Sequence, residues 1–96
     1  MTVERTHIAH QTRYELRDHR GLRSVLAFDA GETGRGPGMW KILLPGPGGT
    51  EDLYGTKHSV SRESADLTNW LTPIVGEEVA SKLAVAVEED PPPEAG

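Results

Sequence analysis

Between residues 61 and 87 the apolar side chains recur at helical spacing: Leu67, Trp70, Leu71 and Ile74, then Val79, Leu83 and Val87. A helix with one apolar stripe is stable only when that stripe is buried against another layer. The chain upstream of residue 61 is broken by glycine and proline into short segments of β character, so a sheet is the surface on offer. The pattern predicts an α+β domain. A three- or four-stranded antiparallel sheet from about 13–58 is followed by one kinked helix or two short helices packed on one face.

Residues 1–12 have no firm period and read as a loose N-terminal arm or a short edge strand. Tyr14 and Leu16 alternate with Arg13, Glu15 and Arg17, the period-2 signature of a half-buried strand. Asp18-His19-Arg20-Gly21 supplies turn chemistry, with Asp early and Gly last. Arg23 to Asp29 then returns as a second strand, which makes this pair the clearest hairpin in the chain. Ala30 to Gly38 holds four glycines and a proline and reads as a loop. Met39 to Leu44 is a compact β-rich run that reads as the central strand. The Pro-Gly cluster after it ends the strand, and Glu51 to His58 carries a weaker fourth.

Ser61 is the natural N-cap for the first helix, with Ser59 the alternative. Pro73 lacks an amide hydrogen and clashes with the carbonyl four residues back. The spacing therefore predicts helices over about 62–71 and 76–88, the second capped by Thr72 or Gly76, with Glu77 and Glu78 at its positive end. The domain proper spans 13–88. Residues 89–96 form an acidic, proline-rich tail expected to be disordered.

A chain of 96 residues makes one domain with a thin core: 35% of it is hydrophobic and five residues are aromatic. A second copy or a partner is then a natural source of further burial. The absence of cysteine removes disulfide and thiolate chemistry. No stretch approaches the ~20 apolar residues of a membrane span, and the first residues lack a signal-peptide pattern. The expectation is a cytoplasmic protein with no membrane association. Charge is uneven. Residues 1–42 carry seven bases against five acids, and residues 43–96 three bases against ten acids.

Each motif that could carry chemistry fails on spacing. His7 and His10 stand three apart, but no third metal ligand follows at a usable distance. The glycine loop lacks the Lys and Ser/Thr of a phosphate-binding loop and precedes a β run rather than a helix. Glu51-Asp52, Glu77-Glu78 and Glu88-Glu89 are adjacent pairs, which diverge on a strand or a helix. No catalytic residue, metal, cofactor or small-molecule substrate is assigned.

Two surfaces remain. Arg13, Arg17, Arg20 and Arg23 on the first hairpin, with Arg35 and Lys41, could meet phosphates, although Glu15 and Asp18 lie among them. Leu67, Trp70, Leu71 and Ile74 form a stripe that serves either as core or as an apolar docking surface. The preferred reading is a small non-enzymatic interaction protein, an accessory, regulatory or phage-type factor that docks on a larger protein partner, with homodimerisation as one route. The alternative is a nucleic-acid-binding module built on the arginine hairpin. Four strands followed by a helix is similar, in the order of its elements only, to small single-strand-binding transcriptional coactivators.

Overall fold

The computed structural model describes residues 2–8, 10–29, 38–57 and 64–92. Five antiparallel strands run in sequence order across one sheet: β1 (Val3–Ile8), β2 (Gln11–Arg17), β3 (Arg23–Asp29), β4 (Met39–Pro45) and β5 (Glu51–Lys57). Two helices follow, α1 (Ser64–Val75) and α2 (Glu77–Glu89). The α+β architecture matches the expectation from sequence. The strand count does not: among the described residues there are five strands rather than three or four.

The added strand is β1. It pairs along its whole length with β2, from Val3 opposite Leu16 to Ile8 opposite Gln11. Its period was hidden because two of its three inward positions, Arg5 and His7, are polar. At the sheet edge both find partners. His7 Nδ1 lies 2.7 Å from the Thr12 hydroxyl. Arg5 donates to the Pro91 carbonyl at 3.0 Å, and its Nε stands 3.5 Å from the Asp90 carboxylate.

The central position belongs to β3 and not to β4. Val25, Leu26, Ala27 and Phe28 are buried in succession. Only a strand flanked on both sides and covered on both faces can hide four consecutive side chains. On the helix-covered face, Tyr14, Leu16, Leu26, Phe28, Trp40 and Ile42 meet Leu67 and Leu71 of α1 and Ala80, Leu83, Ala84 and Val87 of α2. Phe28 and Trp40 pack with ring centroids 4.8 Å apart, close to the favoured tilted arrangement.

α1 passes through Pro73 instead of stopping at residue 71. The carbonyl that loses its donor belongs to Asn69, which is exposed, and Thr72 adds a hydroxyl bond to the Thr68 carbonyl at 2.6 Å. Burial of Leu67 and Leu71 outweighs the local cost. The break falls at Gly76, whose φ of 89° excludes most side chains. Its amide closes α1 on the Thr72 carbonyl, and its own carbonyl receives Ala80 N to open α2. The expected caps Ser59 and Ser61 lie outside the described residues.

The far end of α2 is tied to the sheet. Asp90 N bonds back to Ala86, Tyr14 donates its hydroxyl to the Asp90 carbonyl at 2.6 Å, and Pro92 is buried. The Arg5 cation also sits where the helix dipole favours one. Of the tail read as 89–96, Asp90 to Pro92 are therefore held against β1 and β2, and residues 93–96 lie outside the described residues. No helix among the described residues is long and apolar enough to cross a membrane.

Candidate functional surfaces

Strand alternation places every second residue of β1–β5 on the face away from the helices. Arg13, Glu15, Arg17, Arg23, Lys41 and Glu51 project there, because their neighbours Tyr14, Leu16 and Ile42 take the covered side. A twisted sheet is saddle-shaped, so one diagonal of each face is concave. Along that diagonal Arg13 on β2 reaches Glu51 on β5, with a closest N–O distance of 2.6 Å. Strands three apart in a flat sheet would stand about 14 Å from each other, so the curvature is what lets the pair close.

Glu51 also accepts from Arg23 at 3.2 Å, and Arg23 turns to Glu15 at 3.1 Å. Glu15 and Arg13 stand directly opposite the buried Val25 and Ala27 across the β2–β3 pair. The hydrogen bond from Arg13 holds the Glu51 carboxyl below its ordinary pKa; partial burial opposes this, and the charges of Arg13 and Arg23 add to the lowering. Lys41 pairs with Asp29 at 3.3 Å. At the β2–β3 turn, burial pushes the Asp18 carboxyl up, but the amides of Leu22 and Arg20 and the Arg20 guanidinium outweigh it and lower its pKa. Thus Arg13, Arg23 and Lys41 are each engaged by an acid, Arg20 lies 3.8 Å from Asp18, and Arg17 is exposed beside them. Arg35 falls outside the described residues.

The apolar stripe is divided by depth. Leu67 and Leu71 are fully buried, whereas Trp70 and Ile74 are half-buried and pack at the border of the core. They cover Gly55 of β5: a Cβ at that position would lie 3.3 Å from Ile74 Cδ1 and 3.6 Å from Trp70 Cζ2.

A different apolar surface was not legible in the spacing. The pairing of β4 with β5 slips by one residue: Ile42 faces Gly55, and Leu43 faces Leu53. Tyr54 is left as the extra residue of a β-bulge, a feature that re-aims side chains and recurs beside binding sites. Tyr54 is 58% exposed, and Leu22 in the β2–β3 turn is 50% exposed. With Leu44, Pro45, Val75 and Val79 they line an open concavity of about 300 Å³, bordered by Asp18, Arg20 and Arg23. It lies where the β2–β3 turn, the end of β4, the Tyr54 bulge of β5 and the α1–α2 junction converge. The signal present in the sequence was a tyrosine followed by a glycine within a weak strand.

Among the described residues no three His, Cys, Asp or Glu side chains gather closely enough to hold a metal ion. No protein-family model matches this chain, and no curated protein or solved structure matches it either.

Proposed function

We propose that this protein is a small, non-enzymatic interaction factor, accessory or regulatory in role, that docks on a larger protein partner through the concavity beside the Tyr54 bulge. The observation that carries this reading is the bulge itself. A bulge on an edge strand turns a large aromatic outward next to a second exposed apolar side chain, over a floor of Leu44, Val75 and Val79. Tyr and Arg are the residue types most enriched where binding energy concentrates, especially around a desolvated pocket. Tyr54, Arg20 and Arg23 supply both types at this rim.

The test is site-specific photocross-linking in extract of the native host. A benzoylphenylalanine replacing Tyr54 should capture one discrete protein, and the same probe at Ile8, which is even more exposed but on the opposite edge strand of the sheet, should not. Leu22→Asp should abolish the adduct. No adduct at position 54, or the same adducts from both positions, sinks the proposal.

The alternative reading, nucleic-acid binding through Arg13, Arg17, Arg20, Arg23, Arg35 and Lys41, is the weaker one. Arg13, Arg23 and Lys41 already face carboxylates, which would have to be displaced by phosphate. If that reading holds, affinity for a single strand falls steeply as salt is added. No binding at low salt ends it.

A further inference from the structure

We infer that the protein self-associates through a second copy seated on the trough between β1 and α2. This goes beyond the docking proposal and uses a separate surface.

α2 spends its inner face, Ala80, Leu83, Ala84 and Val87, on the core. Its outer flank leans over β1, one of the two edge strands of the sheet. There Val3, Ser81, Lys82, Val85, Ala86 and Glu89 line an open trough of about 490 Å³. Val85 is apolar and 45% exposed, and Val3 and Ala86 beside it are half-covered. The sheet ends beneath this flank, so both an apolar strip and an unpaired strand edge remain uncovered.

The charges on this flank identify the occupant. Lys82 is the single base of α2. Among the described residues neither Lys82 nor Glu89 has an ion-pair partner in its own chain. The two stand symmetrically about Val85 and Ala86 along the helix. An isologous interface demands this arrangement, because each surface must complement itself. When two α2 helices pair antiparallel about a two-fold axis at Val85–Ala86, Lys82 of each copy meets Glu89 of the other, and the valines meet at the centre. Within Val79 to Pro92 this register brings no like charges opposite each other: Ser81 faces Asp90, and Leu83 faces Glu88. A foreign partner would have no reason to match the spacing of this chain's own acid and base.

Sedimentation velocity on the untagged chain tests the inference from the micromolar to the submillimolar range. The wild type should be dimeric at the upper end. K82E sets two like-charge contacts in place of two attractive ones, and so does E89K. Each alone should dissociate the dimer about tenfold or more. An equimolar mixture of K82E and E89K should recover it, because the mixed pair places opposite charges at both contacts. V85E should be monomeric with an unchanged circular-dichroism spectrum. A wild type that stays monomeric overturns the inference, as does a V85E dimer or a mixture that does not re-form. Tyr54 lies outside this trough, so cross-linking at position 54 in V85E reports on the docking proposal separately.

Discussion

Replacing Leu71 with Ala probes the joint between the helices and the sheet. Leu71 is fully buried in the cluster that includes Tyr14, Leu26, Trp40 and Leu83. The substitution removes three carbon atoms, worth about 2.4 kcal/mol at ~0.8 kcal/mol each. The incompletely collapsed cavity adds to this, for a total of roughly 3 kcal/mol within the usual span of about 2–5. A chain of this length has a total stability of about 5–14 kcal/mol, so a large share is lost. At about 4–8 °C per kcal/mol for a domain of this size, the melting temperature falls by roughly 12–24 °C. The assay is thermal and urea unfolding followed by circular dichroism, with Leu53→Ala as the control. Leu53 is 55% exposed, and its truncation should cost about 0.5 kcal/mol or less. If Leu71→Ala costs under about 1 kcal/mol, or no more than Leu53→Ala, α1 does not lie on the sheet as described.

Other substitutions probe other joints. Tyr14→Phe removes the part-buried bond to the Asp90 carbonyl and should cost about 1 kcal/mol in urea unfolding. Gly38→Ala should be worse, about 2–4 kcal/mol: φ is 86° and the new Cβ would overlap the buried Phe28 ring, so both backbone strain and overpacking contribute. For Glu51 the folded-state pKa lies below the ordinary value of 4.5. Its contribution is present above that value and is lost as pH falls through the lowered folded pKa. Glu51→Gln should therefore melt below wild type at pH 7, by the equivalent of about 1 kcal/mol for this solvent-screened network. The gap should close as the pH is taken below 4.5.

What the sequence disclosed depended on whether a contact was local. The β2–β3 hairpin was plain because Tyr14 and Leu16 alternate with charge and Asp18 to Gly21 spell a turn. An interruption in the helical run was legible from Pro73 and Gly76, but the spacing ended the first helix near residue 71, whereas the break falls at Gly76 with its positive φ. β1 was obscured because an edge strand can hold Arg5 and His7 on its inner side when the end of a helix and a threonine offer them partners. α1 outran Pro73 because burial of Leu67 and Leu71, a tertiary effect, overrides a local penalty. The arginine surface was read from one hairpin, where Glu15 and Asp18 were the visible acids. The stronger partner is Glu51, 38 residues from Arg13 in sequence and brought near only by the twist of the sheet. The Tyr54 bulge arises from a register slip between two strands, which neither strand records alone.

The placement of α1 across β5 is what fixes the covered face, the open face and the concavity between them. Nuclear Overhauser contacts from the Gly55 α-protons test it most directly. A Cβ at Gly55 would lie within 3.6 Å of both Ile74 Cδ1 and Trp70 Cζ2, so strong cross-peaks to the Ile74 δ-methyl and the Trp70 ring are predicted. Their absence, with Gly55 seen only by its strand neighbours, would contradict the fold and the surfaces drawn from it.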